Sequence, residues 1–535
     1  LSLASLGLDF GTESVRALLV DLNGRELASA EARYRHGQIT EILPTSGERL
    51  PPEFALQHPA DWLESAAEAV RAALATANVA AADVAGIGVD FTSCTMLPAR
   101  RDGMPLCLLP EWRDEKFAWP KLWKHHGAQR QTDRINRLAR ERAEPWLWRY
   151  GGAIGLEWFF PKVLETLDAA PRVFDAADTW LEAGDWLVWQ LVGGDAANLP
   201  RSTCQAGYKA CWNATDGYPS PAFLAALDPR MEHFVAERLS GRLAAPGTAA
   251  GKLTSQAAER LGLATGTPVS VAIIDAHAGV PGAGAADAGT LVMVLGTSSC
   301  HMLNSASEQR IPGIAGIVKD GILPGFIGYE TGQAAVGDLF DWFRRLAGEA
   351  TFATLDERAA TIAPGADGVV CLDWMNGCRT PLMNGALRGC FAGLSLYHTP
   401  AHLYRAAIEA TAFGLHWIVE LLREHDVPIT QFVATGGLPH HNPLLTQIYA
   451  DVLGAPIRIA ATKHGPALGA AILGALAAGE RTGFGSAAEA VRAMAQAPEG
   501  HDRQRVVSPS AEAHAVYQSI YGEYRRLAEL PLSPL

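Results

Sequence analysis

The 535-residue sequence has no Cys-x-x-Cys pair: its eight cysteines, at 94, 107, 204, 211, 300, 371, 378 and 390, are scattered. That pattern excludes a zinc ribbon and a disulfide framework and fits a reducing compartment, so a cytoplasmic protein is expected. Long hydrophobic runs are missing too. The most apolar late stretch, "GPALGAAILGALAAG" (465–479), falls short of the roughly 20 residues a bilayer span needs and is rich in glycine, so a buried helix is expected. The opening "LSLASLGLDF" lacks the basic segment of a secretory leader. Positive charge is scarce: 44 Lys and Arg against 57 Asp and Glu give a net charge of −13. Nucleic acid and acidic membrane surfaces are therefore poor partners. Local donors can still hold a nucleotide phosphate.

Two familiar nucleotide motifs are also absent. The nearest match to a P-loop is "GTAAGKLTS", where Pro246 stands in place of the first glycine and Leu253 in place of Ser or Thr. No Gly-x-Gly-x-x-Gly follows a strand pattern, which argues against a dinucleotide fold.

What is present is the composition of a globular chain, 48% hydrophobic and 19% charged, long enough for two large domains. "LGLDF" and "VRALLV" read as paired strands around Gly11-Thr12. Trp62, Leu63, Ala66, Val70 and Leu74 fall at helical spacing within residues 58–77. "VAGIGVDFTSCTMLPARRDGMPL" returns to strand, turn and strand, and residues 129–148 read as a solvated helix. Residues 248–267 read as a polar connection before one strand, "PVSVAIID". Mixed hairpins and crossover helices make this an α/β protein. The opening gesture then returns: "VLGTSS" places Gly296-Thr297 between strands, 285 positions after Gly11-Thr12. Two related domains, 1–285 and 286–535, are expected. Late in the chain "FVATGG", "NPLLTQIYADVLG" and "PIRIA" form a strand–turn–helix–strand unit in which Asn442-Pro443 opens the helix.

A Gly-Thr-x-Ser turn presents backbone N–H groups and two hydroxyls, from Thr12 and Ser14, that can cradle phosphate oxygens. The same residues also suit a plain hairpin turn. Asp9, at the end of its strand, can hold a hydrated Mg²⁺. Arg16 either adds charge to that site or pairs with a surface carboxylate. Asp275 ends an apolar run ahead of small residues and glycines, where a carboxylate serves as a proton acceptor or as a helix cap. Lys209 and Glu330 sit among glycines and aromatics, compatible with a pocket wall, and Trp123 can stack on a ligand or on the core.

Together these stretches resemble the FGGY carbohydrate kinases, within the hexokinase/actin-like superfamily. "GCFAGLSLYHTPAHLYRAAIE" (389–409) matches that family's C-terminal signature, while "LGLDFGTESVRALLVD", "VLGTSS" and "TGGLPHHN" match its two phosphate loops and its adenosine motif. The likeness to the L-ribulose kinases of the family extends over nearly the whole chain, through "GVDFTSCTMLP", "GGAIGLEWFFPKVLE", "CQAGYKACW" and "GYETGQAAVGDLFDWF". One departure is His125, where those kinases commonly carry Asp.

The resemblance implies an α/β fold of two RNase H-like domains with mixed sheets flanked by helices, and an active site in the interdomain cleft. It implies ATP-dependent phosphorylation of a ketopentose, L-ribulose above all, in L-arabinose catabolism. D-ribulose, L-xylulose or a pentitol are alternatives, and an actin- or chaperone-like ATPase is a remote one. It implies Asp275 as catalytic base. Ser93, Trp123, Lys209 and Glu330 would meet the sugar. Gly11, Thr12, Ser14, Gly296, Thr297, Gly436, Gly437 and Asn442 would meet ATP. Asp9 would hold Mg²⁺ through water. The expected partners are small molecules alone, with a homodimer as the assembly allowed for.

Overall fold

The computed structural model describes residues 3–349, 351–495 and 505–530. The chain divides into two compact units. One takes Leu1–Ala286, Ile317–Gly328 and His464–Gln496; the other takes Asp287–Gly316, Tyr329–Lys463 and Ala497–Leu535. The sequence-based boundary kept everything after residue 285 together, and the return of residues 464 onward to the first unit departs from it.

The reason lies in the first sheet. Strands β1 (Ala4–Phe10), β2 (Ser14–Asp21) and β3 (Glu26–Arg33) form an antiparallel meander, and β4 (Val84–Phe91) joins β1 in parallel. The expected "PVSVAIID" strand is broken in two. Pro268–Ser270 and Ile273–Ile274 each pair with β4, the second bringing Ile273 opposite Asp90.

On one face lies the helix Gly465–Ala477, buried along most of its length as its composition suggested. Gly7 and Gly88 permit the contact. A Cβ would lie 1.9 Å from the Ala467 carbonyl oxygen at Gly7, and 1.7 Å from that of Ala470 at Gly88. Backbone therefore packs on backbone, and this late helix becomes part of the first core.

The opposite face is covered by α1 (Pro59–Ala77) and the helices Ala183–Val192 and Ser255–Leu261. There Phe10 stacks on Phe91, ring centroids 5.2 Å apart, and Trp62 meets Phe91 edge-on. His58 caps α1 and Pro59 opens it, so the expected helix begins one residue in. Residues 248–267 are not a bare connection. Ala249–Lys252 pairs with Pro268–Ser270, and Ser255–Leu261 is capped by Thr254 and closed by Gly262 in the left-handed region. Ala257, Ala258 and Leu261 supply its buried face, a pattern too short to stand out among polar residues.

The second unit repeats the arrangement. Thr290–Leu295 and Ser299–Ser305 form an antiparallel hairpin, and Gln431–Thr435 joins the first of them in parallel, followed by Ile457–Ile459 and Val506–Val507. Ile327–Gln333 lies beyond Ser299–Ser305. The long helix Pro400–Glu424 is buried through most of its turns. No helix among the described residues is long and apolar enough to cross a membrane.

Candidate active site

Three carboxylates gather at the C-terminal edge of the first sheet. The parallel register sets Asp9 opposite Asp90. Asp275 begins the helix Asp275–Gly282, directly after Ile274, which pairs with Phe91. Alternation along the strands puts Asp9 and Asp90 on the same face as Gly7 and Gly88, toward the helix Gly465–Ala477. His464, which precedes that helix, acts electrostatically on Asp9.

Asp90 is wholly buried. Burial, then the charges of Asp9 and Asp275, raise its carboxyl well above the usual range. Burial also raises Asp9, against the pull of Asp90 and Arg16. Among the described residues neither Asp90 oxygen has a hydrogen-bond partner. Asp90 was not among the predicted site residues, yet the signal was there: "GLDF" at 7–10 is echoed by "GVDF" at 88–91. A buried carboxyl without donors beside a second carboxyl suits a hydrated divalent cation, so this donor set fits Mg²⁺.

Gly11-Thr12 forms the expected hairpin. The Gly11 N–H donates to Ser14 O at 2.9 Å and its carbonyl accepts the Tyr34 hydroxyl, while at the tip the Thr12 carbonyl accepts from Gln57 and the Glu13 carboxylate from Gln38. Ser14 Oγ donates to Glu31 at 2.7 Å, so its hydroxyl serves a carboxylate rather than the turn. Arg16 reaches Glu31 at 2.7 Å and Asp9 at 3.5 Å, which makes it a bridge between them.

Trp123 is 38% exposed, and its indole N–H donates to Thr12 Oγ1 at 3.0 Å. Ser93, three residues past Asp90, contacts Cys94 Sγ at 3.3 Å. Lys209 ends the helix Thr203–Lys209, buried, with its ammonium 5.2 Å from the Trp158 ring centre. Its charge also acts on Cys94 and Glu182. Asp9, Asp275, Thr12, Trp123, Ser93 and Lys209 thus fall in one unit.

His125 is turned inward onto a carboxylate. Fully buried, its Nε2–H donates to Glu165 at 2.8 Å, and Glu165 also pairs with Lys121 at 2.8 Å. Burial pushes His125 down to about 4 despite the carboxylate beside it. Burial alone would raise Glu165, but Lys121 and His125 outweigh it and hold it at about 2.

The remaining predicted residues belong to the second unit. Gly296 N–H donates to Ser298 O at 3.1 Å, closing a turn one residue tighter than the first, and the amides of Gly337 and Asp338 close on the carbonyls of Gly296 and Thr297. Thr435 pairs with Val294, which delivers Gly436 to the same edge. Its φ of +94° and a would-be Cβ 2.5 Å from Leu295 O admit only glycine. Nothing lies within 4 Å of a Cβ at Gly437, so its surface is open. Asn442 caps the helix Pro443–Leu453 through its carbonyl and donates its amide to Asp356 at 2.8 Å. Both ends of that side chain are committed to the fold. Glu330 is buried on Ile327–Gln333.

A cavity of about 620 Å³ lies across the first sheet from the carboxylates, lined by Leu8, Phe10, Trp186 and Leu187 among others. The three carboxylates do not line it.

The N-terminal domain of the FGGY family of carbohydrate kinases matches residues 4–282, and its C-terminal domain matches residues 291–478. The chain is 45% identical over 535 residues to a ribulokinase of Geobacillus thermodenitrificans, covering 98% of this chain and 93% of that one. A ribulokinase of Mycolicibacterium smegmatis is 45% identical with the same coverage. Among solved structures, a xylulose kinase from Rhodospirillum rubrum superposes with a TM-score of 0.79 at 25% identity, over 98% of each chain. Plasmodium falciparum glycerol kinase with ADP shares the fold, with a TM-score of 0.78 at 14% identity.

Proposed function

The chain belongs to the FGGY family of carbohydrate kinases, and we propose that its reaction is phosphorylation of L-ribulose at O5 by ATP, serving L-arabinose catabolism in the cytoplasm. The observation that carries the mechanism is the position of Asp275, beside Asp90 at the edge of the first sheet. Its carboxylate accepts the proton of the sugar hydroxyl as that oxygen attacks the γ-phosphorus. Ser93, Lys209 and Glu330 orient the sugar through polar contacts, and Trp123, whose N–H is given to Thr12, offers its ring face. Thr12 and the hairpin tip, Gly296-Thr297 and the Gly436-Gly437 turn handle the nucleotide. Gly11 shapes its turn rather than donating from it, Ser14 acts through Glu31, and Asn442 acts by capping. Asp9, with Asp90 behind it, would hold Mg²⁺. When bound, the cation offsets negative charge on the transferring phosphoryl group.

The identity to two ribulokinases over nearly the full chain supports ribulose as the sugar. A coupled ADP-release assay over L-ribulose, D-ribulose, L-xylulose and pentitols tests it. The highest kcat/KM is expected with L-ribulose. A preference for another sugar reassigns the substrate, and no sugar-stimulated release at all ends the kinase reading.

A further inference from the structure

Behind Ser93 and Trp123 lies a buried ammonium that phosphoryl transfer does not use. Lys162, on the helix Phe159–Ala169, is fully buried. Its Nζ donates to the Cys94 carbonyl at 2.7 Å and to the Leu122 carbonyl at 2.8 Å. Cys94 directly follows Ser93, and Leu122 directly precedes Trp123. One side chain therefore joins the two backbone segments that carry these expected sugar contacts.

The same helix holds the second segment again. The Lys162 carbonyl accepts from Lys121 Nζ at 3.1 Å, and Glu165 receives both Lys121 and His125. Cys94 itself sits at φ +58°, a conformation that a side chain other than glycine enters only when its surroundings enforce it.

We propose that Lys162 is a positioning residue of the sugar pocket: by gripping the carbonyls of Cys94 and Leu122 it fixes the separation of Ser93 and Trp123, and so determines which ketopentose fits. The proposal rests on the reading of those two residues as sugar contacts. A neutral side chain of the same length would take this donor from the buried Cys94 carbonyl and leave the Leu122 carbonyl with the His125 N–H alone, so the ends of the two segments nearest Ser93 and Trp123 would lose their direct tie. Each segment keeps other ties. The Leu122 N–H donates to Ala55 O at 2.9 Å, and Lys121 exchanges backbone bonds with Met96. Loss of Lys162 should therefore loosen the pocket before it unfolds the unit. Burial lowers its ammonium to about 8, with Glu182 and Glu157 as the nearby opposing charges, so the donor form prevails at neutral pH.

Lys162→Met and Lys162→Gln in the full chain test this, with melting temperature followed by circular dichroism. Wild-type turnover of L-ribulose checks the underlying reading separately. Given that turnover, Lys162→Met is expected to raise the KM for L-ribulose about tenfold or more while kcat and the KM for ATP stay within about threefold. Its preference for L-ribulose over D-ribulose and L-xylulose should shrink, and Lys162→Gln, which keeps an amide donor, should recover part of it. Sugar KM and preference within twofold of wild type in a folded variant would overturn the proposal. So would a parallel decline of sugar KM, ATP KM and melting temperature, or failure of both variants to fold, since each marks a purely structural lysine.

Discussion

The indole N–H of Trp123 donates to Thr12 Oγ1 at 3.0 Å, joining a residue expected at the sugar to the tip of the first Gly-Thr hairpin. The two lie 111 positions apart in sequence. Reading either motif alone assigns them to different ligands, whereas the bond makes the position of one depend on the other.

Trp123→Phe keeps the ring and removes that bond, worth about 0.5–1.5 kcal/mol. A fall of about two- to tenfold in kcat/KM is expected for both sugar and ATP. Thr12→Val removes the same bond together with the hydroxyl assigned to the nucleotide, so it should fall at least as far, and the double variant should be no worse than Thr12→Val alone. Full additivity in that cycle would show that the two residues act separately.

Asp275→Asn keeps the shape of the side chain and removes the base. Turnover is expected to drop by about 10²-fold or more, with ATP affinity by calorimetry little changed. Near-normal turnover would remove Asp275 from the role of base.

Asp90→Asn addresses the carboxyl that backs Asp9. The Mg²⁺ concentration giving half-maximal activity should rise by about tenfold or more, the scale on which partners of metal ligands matter. A magnesium titration at saturating ATP and sugar measures it, and an unchanged midpoint would detach Asp90 from the cation.

Gly7→Ala places a methyl group 1.9 Å from the Ala467 carbonyl, where backbone rather than a mobile side chain must yield. A loss of about 1–3 kcal/mol in unfolding free energy is expected, measured by urea titration. A stability equal to wild type would mean that the helix Gly465–Ala477 packs less closely than described.

His125 is held near 4 in the folded chain against an ordinary 6.5. As pH falls below 6.5 the unfolded chain takes up that proton while the folded chain refuses it, so stability declines with falling pH and is full above the window. Glu165, ordinarily 4.5 and held at about 2, adds its own loss only at lower pH. Between pH 6.5 and 4.5 the unfolding free energy of His125→Gln should therefore fall less steeply than that of wild type. Parallel slopes would mean that His125 titrates normally.

Local chemistry made much of this legible in advance. Val15 to Val20 and "LGLDF" announced a hairpin because apolar residues flanked Gly-Thr, and Asn442-Pro443 announced a helix start. The echo of Gly11-Thr12 at Gly296-Thr297 announced the repeat of the hairpin, though the second turn closes one residue sooner than the first. Less legible were elements whose signal is weak or non-local. The helix Ser255–Leu261 buries only three residues, and "PVSVAIID" reads as one strand until its two ends pair separately with β4.

By itself, then, the sequence determined the hairpin turns, the caps, the buried helix at 465–477 and the carboxylates placed at strand ends, because each depends on residues within a few positions of one another. Tertiary structure alone decided that Asp90 faces Asp9, that Lys162 spans two loops, and that a helix 460 positions from Gly7 (467 less 7) lies against it. Those relations depend on strand register and on which backbones can touch, and no single stretch of the chain carries that information.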